Sequence, residues 1–398
     1  MVASATRSPA LSTEFRLLLL FSRLKLDEAQ SRAALSLCDE VKDWAAFRDI
    51  ANDRFILPMV YRHLRQLKPP SLPDEQLLLM KNQVLRLYQH SLNVTACLSQ
   101  ACHMLQVELK IPYVTFKGPS LAARYYDEPA MRFCRDIDIL VPKERMPELI
   151  AHALSAGYRP LDPQQLEQDP VSLAFVARCQ KVITLQSPQG ICVEFHSRID
   201  NIGTVYDSRA MIDKAEPIRV GLTEVAVLPT DELFVYICWH HTKHFWSRLH
   251  WLVDLDAVQR HPDFDRQTVL TCADRYGLRT TVESCLKMVE LLGSPQFDPR
   301  SHHDPQLDEL LRHSMEAMQG DLEVELRLAS KKPTPDFAFH WQTDRAHWLR
   351  WKLLGWLRIF RPSYADYHEW PLSRRWQWLY RPLRPWRECR RRWSKPRH

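Results

Sequence analysis

The chain has 398 residues, enough for two or three domains, and 45% hydrophobic with 26% charged residues is the composition of a soluble globular protein. Only nine residues are glycine and the closest pair, Gly190 and Gly203, lies thirteen apart, which excludes a P-loop and a G-x-G-x-x-G dinucleotide loop. The net charge of +6 is uneven: residues 345–398 hold fifteen Lys and Arg against Asp366, Glu369 and Glu388, so the other 344 residues carry −6.

Near the N-terminus, Leu17-Leu18-Leu19-Leu20-Phe21 lies between Arg16 and Arg23. That run is too short for a signal-peptide core or a spanning helix. The ten cysteines form no C-x-x-C and sit mostly among apolar neighbours, arguing against a disulfide framework or a structural zinc. A cytoplasmic enzyme of bacterial type is the expectation. Residues 14–110 have apolar positions at three- and four-residue intervals, as in Leu77 to Leu105, and read as helical, interrupted by Pro69-Pro70 and Pro73.

From Ile111 the pattern changes to alternation with β-branched residues. Pro112–Phe116 reads as a strand ending at Lys117-Gly118, and Pro119 suits the first turn of a helix reaching Tyr126. A strand over Asp136–Val141 follows, then a helix from about Lys143 to Ser155, closed by Gly157. Strands Lys181–Gln186 and Ile191–Ile199 are joined by the hairpin turn Ser187-Pro188-Gln189-Gly190. Pro229-Thr230-Asp231-Glu232 opens a helix, with Thr230 as cap and acids in the first turn. Helical spacing continues to about 340, broken by polar stretches such as Ser301 to Pro305. The expected fold is α+β: a small mixed-sheet core at 111–228, helical regions at 1–110 and 229–344, and a basic tail at 345–398.

Asp136-Ile137-Asp138 is the most informative stretch. A strand repeat of two puts both carboxylates on one face and turns Ile137 and Ile139 the other way. Two like charges held side by side in an apolar run call for a cation, and Mg²⁺ or Mn²⁺ suits paired carboxylate oxygens. In Val193-Glu194-Phe195-His196, Glu194 is an acid on a strand whose neighbours form core, as a third ligand would be. Two divalent ions would then activate an acceptor oxygen and neutralise a triphosphate. Lys117 offers a point charge for phosphate, Gly118 allows close backbone approach, and Arg132 is a candidate second phosphate clamp.

These motifs resemble the uncharacterised nucleotidyltransferase family within the DNA polymerase β-like nucleotidyltransferase superfamily. The residues that carry the resemblance are Phe116-Lys117-Gly118, Arg132-x-x-x-Asp136-Ile-Asp138-Ile-Leu-Val, Val193-Glu194-Phe195-His196, and the stretch from His240 through Lys243, His244, Trp246, Arg248 and Trp251 to Asp254. Lys-Gly stands where the superfamily usually has Gly-Ser, and Ser197 follows His196 where the family usually has an aromatic. The resemblance implies transfer of a nucleoside monophosphate from an NTP, ATP first among candidates, to an unknown hydroxyl or phosphate acceptor. Asp136, Asp138 and Glu194 would be catalytic and hold Mg²⁺ or Mn²⁺. The alternative is a catalytically silent relative that binds nucleotide or a partner as a biosynthetic accessory.

Two further features stay open. On one continuous helix His240, Lys243, His244, Ser247 and Trp251 would share a face that binds phosphate or positions the acceptor, or simply packs. The tail interleaves eight of the thirteen tryptophans with arginine. That pattern suits an anionic membrane surface on the inner face, a nucleic acid or large acidic partner, or packing of its first segment with a disordered end.

Overall fold

The computed structural model describes residues 11–200, 205–298, 304–320, 322–330 and 345–393. The polar break expected at Ser301 to Pro305 and the last tail residues lie in part outside them. The chain gathers into two units, each assembled from separate segments: 1–92, 122–133 and 230–344 in one, and 93–121, 134–229 and 345–398 in the other. Four consecutive blocks were expected from the sequence; the spatial units cross those divisions. The α+β class holds.

The second unit contains a seven-stranded mixed sheet. Its strands are β1 (Val114–Thr115), β2 (Asp136–Leu140), β3 (Arg159–Asp162), β4 (Val182–Gln186), β5 (Cys192–His196), β6 (Glu216–Val220) and β7 (Thr223–Val227). They lie in the order β3-β4-β5-β2-β1-β7-β6. β2 runs parallel to β5 and β1 parallel to β7, while the other pairs are antiparallel. β4 and β5 form the expected hairpin, whose turn is closed by Gly190 N–H donating to the Ser187 carbonyl at 2.9 Å. Gly190 has φ +83°, which glycine adopts without steric cost. The two edge strands each carry a proline, Pro160 and Pro217, and a charged residue of each sign, which blunts an exposed edge against pairing with another chain. Neither edge reads as a strand from sequence for that same reason.

The sheet's core face is built by alternation. Ile137 and Ile139 on β2, Val193 and Phe195 on β5, and Ile183 and Leu185 on β4 are all buried. The helix Pro170–Cys179 belongs to this unit and receives part of the tail. Phe175 stacks on Tyr367 at 4.8 Å and meets Tyr380 edge-on, and the Tyr364 and Ser172 hydroxyls lie 2.6 Å apart. Packing of the tail thus falls on its later residues and on the sheet-bearing unit.

The first unit is helical. Its apolar helix Thr13–Phe21 is buried from Leu17 to Phe21, which accounts for the hydrophobic run near the N-terminus. Asp27 and Gln30 form a capping box at the next helix. The helix expected from Pro229 starts at Thr230, whose hydroxyl lies 3.0 Å from that of Tyr125. Among the described residues no helix is long and apolar enough to cross a membrane. All ten cysteines are free thiols, seven of them buried.

Candidate active site

The parallel register of β2 and β5 sets Asp138 directly against Glu194, and Leu140 against His196. Because side chains alternate, Glu194 and His196 share one face of β5, just as Asp136 and Asp138 share one face of β2. The result is a compact polar cluster on one side of a sheet whose other side is hydrocarbon. His196 Nε2 lies 3.0 Å from Asp138 Oδ1 and 3.2 Å from Glu194 Oε2. An imidazole that serves two carboxylates from one nitrogen carries its hydrogen there. The ring is held edge-on against Phe116 at 5.2 Å.

Lys117 follows β1, the neighbour of β2 on the side away from β5. Its Nζ lies 3.1 Å from Asp138 Oδ1. The Ser120 hydroxyl donates to the Lys117 carbonyl at 2.9 Å and fixes the turn. Gly118 has φ +67°, and a Cβ there would come within 3.1 Å of the Asp136 carbonyl oxygen. Glycine makes this left-handed turn beside the start of β2 without strain or a steric clash.

The electrostatics divide the two aspartates. Burial and the neighbouring Asp138 charge push the Asp136 carboxyl up to about 6, with Lys117 opposing. Asp138 is the more deeply buried, which alone would raise it. Lys117 and His196 outweigh burial and hold Asp138 below the usual carboxylate range. Asp138 is therefore the first of the pair to ionise as pH rises, and Asp136 the second. Its Oδ1 takes both Lys117 and His196, while its Oδ2 is buried and has no hydrogen-bond partner. An orphaned buried carboxylate oxygen is costly unless something electropositive meets it.

That oxygen is the test of whether a metal fits. Ligand atoms of Asp138, Glu194 and His196 all lie within 4.8 Å of one another. The two carboxylates suit Mg²⁺ or Mn²⁺, and the imidazole beside them, with its hydrogen on Nε2, orients them instead of ligating. The donor set fits a divalent cation. His196 converges with Asp138 and Glu194 in this grouping, and Asp136, the third acid expected here, shares the Asp138 face of β2. A second grouping, Asp231, Glu232 and Cys272, already has cationic and hydroxyl partners in Arg275 and Tyr276.

The remaining predicted residues belong to the helical unit. Arg132 is buried and donates from Nε and Nη2 to both oxygens of Asp254, at 2.7 and 2.8 Å. The Tyr126 hydroxyl donates to Asp254 Oδ1 at 2.7 Å. The guanidinium expected to clamp phosphate is thus bound to a buried carboxylate. The continuous helical face expected from His240 to Trp251 is not formed. The helix ends at Lys243, and Phe245 and Trp246 take left-handed φ values of 58° and 54°. Trp251 sits on the next helix, His250–Gln259, and Ser247 is buried between them in sequence. The aromatic residues nevertheless assemble: His241 stacks on Trp251 at 4.5 Å and the His240 and His244 rings lie 4.8 Å apart. Lys243 Nζ lies 5.2 Å from the Trp239 ring centre.

His196 is the site residue that sequence reasoning passed over. Its signal was present, since a residue two beyond Glu194 on a strand must share Glu194's face. A family model described as an uncharacterised nucleotidyltransferase matches residues 40–293, well over half the chain. No curated protein matches the chain.

Proposed function

The chain belongs to this uncharacterised nucleotidyltransferase family, and from that premise we propose that its β2–β5 cluster transfers a nucleoside monophosphate from an NTP to a hydroxyl or phosphate acceptor, releasing pyrophosphate. The observation that carries the reading is the in-register pair Asp138 and Glu194, with the buried Asp138 Oδ2 unpartnered. Asp138, Glu194 and Asp136 would hold Mg²⁺ or Mn²⁺. Such an ion, when bound, lowers the charge on the triphosphate and the pKa of an acceptor hydroxyl.

The chain's own residues have separable roles in this reading. His196 donates to Asp138 Oδ1 and sits beside Glu194 Oε2, holding the carboxylates so that Asp138 Oδ2 is left for the cation. It is a positioning residue. Lys117 neutralises Asp138 and is a point charge within reach of phosphate oxygens entering the cluster. Gly118 keeps the turn after β1 free of a side chain, so the backbone can approach a phosphate. Glu194, half-buried where Asp138 is fully buried, is the group placed to take the acceptor's proton. ATP is the first NTP to test.

The experiment is transfer of label from each α-³²P NTP, with Mg²⁺ or Mn²⁺, into a small-molecule extract. Wild-type protein should label an acceptor and release pyrophosphate, and Asp138→Asn should do neither. NTP binding without pyrophosphate release from any NTP would replace this reading with that of a silent, nucleotide-binding relative.

A further inference from the structure

The tail contains a structural division that the nucleotidyl-transfer reading does not use. Its later part is fastened to the sheet-bearing unit by Tyr364, Tyr367 and Tyr380. Asp366 accepts from Ser363 in a capping box and pairs with Arg384 and Arg387. The earlier part, the helix Arg345–Leu357, turns four apolar side chains outward instead. Leu349, Leu353, Trp356 and Leu357 recur at i, i+4, i+7 and i+8, one face of a helix, and are 62%, 62%, 84% and 50% exposed. Ile359 and Phe360 extend this exposed strip past the helix end. Trp370, Trp376 and Trp378 add exposed indoles farther along.

An apolar strip of this length on a soluble surface calls for an occupant. Its surroundings say which. Arg345, Arg350, Lys352, Arg358 and Arg361 interleave with the strip in sequence, in a tail of net +12. A second copy of the chain would bring another +12 against the first, so like charge opposes self-association. Nucleic acid satisfies the arginines, but Leu349, Leu353 and Leu357 have no aromatic face for a base to stack on. A bilayer with anionic headgroups satisfies both at once, with aliphatic side chains in the acyl region, indoles at headgroup level and arginines on lipid phosphates. A helix of 13 residues is about 20 Å long, short of the roughly 30 Å needed to span, so it must lie in the interface plane.

We propose that the helix Arg345–Leu357 and the turn after it form an interfacial anchor, which seats the nucleotidyltransferase unit on an anionic bilayer surface. The strip shares no residue with the β2–β5 cluster, so this inference stands or falls independently of the catalytic reading.

The test is flotation of full-length protein with vesicles of phosphatidylglycerol and phosphatidylcholine, against vesicles of phosphatidylcholine alone, at low salt. Wild-type protein should float with the anionic vesicles, less so as salt is raised, and stay down with the neutral ones. Leu349→Ser/Leu353→Ser/Trp356→Ser should lose binding at least tenfold while keeping the wild-type melting temperature. Trp356→Ala alone should lose part of it. Failure of wild-type protein to float, or equal flotation of the triple variant, overturns the anchor. So does strip-dependent binding of single-stranded RNA, or strip-dependent dimerisation by sedimentation, in protein that does not float.

Discussion

Arg132 separates a structural from a catalytic role, because its sequence context suggested a phosphate clamp and its structure shows a bidentate ion pair. Arg132 and Asp254 are 6% and 0% exposed, with two bonds at 2.7 and 2.8 Å and a third to Asp254 from Tyr126. Truncating one member of such a pair leaves the other buried and charged, which costs about 3–5 kcal/mol. Arg132→Met should therefore destabilise the protein by that amount. With a urea slope of about 3 kcal/mol/M, the unfolding midpoint should fall by about 1–1.7 M. Arg132→Met/Asp254→Leu removes both charges and should recover most of the loss, since apolar replacement of a whole buried pair is often neutral. The assay is urea unfolding followed by tryptophan fluorescence, with NTP affinity measured on each folded variant. A midpoint shift below about 0.3 M combined with a tenfold loss of NTP affinity would refute the reasoning and restore Arg132 to the phosphates.

Burial holds the His63 imidazole down at about 4, from an ordinary value near 6.5, against the opposing hydrogen bond to the Arg23 carbonyl. The unfolded chain thus binds a proton that the folded one refuses, so stability should fall by up to about 3 kcal/mol as pH drops from 6.5 to 4. His63→Leu should flatten that part of a melting-versus-pH curve; an unchanged slope would remove His63 as the cause. Asp136 has the opposite sign: its carboxyl is raised to about 6, so its proton favours the fold at low pH and that gain is lost as pH rises from about 4 to 6. Asp136→Asn should accordingly stabilise metal-free protein at pH 7, by up to about 3 kcal/mol, while weakening the metal-induced melting shift; a loss of stability without metal contradicts the assignment. Gly118→Ala meets both a left-handed φ and the Asp136 carbonyl, and should cost about 1–2 kcal/mol, with NTP affinity reduced; a neutral melting temperature would show that the turn relaxes.

Much of the sheet was legible because its central strands obey a simple repeat. Ile137 and Ile139 against Asp136 and Asp138, and Val193 and Phe195 against Glu194 and His196, fix which face is core and which is polar. The pairing of those strands was not legible, since the parallel register that sets Asp138 opposite Glu194 depends on tertiary packing. The edges β3 and β6 were hidden by Pro160 and Pro217. Periodicity misled between His240 and Trp251, where an unbroken three- and four-residue spacing spans two helices. Phe245 and Trp246 adopt left-handed backbone angles that neither residue type announces. For Arg132, the sequence held the right partner, Asp254 at the end of the last family motif, without any sign that the two would meet. The tail's composition was visible from the start. Its division into a fastened part and an exposed strip follows from where Phe175 and Ser172 offer contacts.

The central claim is that Asp138 and Glu194 hold a divalent cation for an NTP, and calorimetric titration with Mn²⁺ tests it most directly. Wild-type protein should bind Mn²⁺ saturably and more tightly with ATP present, and Asp138→Asn and Glu194→Gln should each lose at least tenfold in affinity while remaining folded. Mn²⁺ affinities that are equal in wild type and both variants, with or without ATP, would contradict the account.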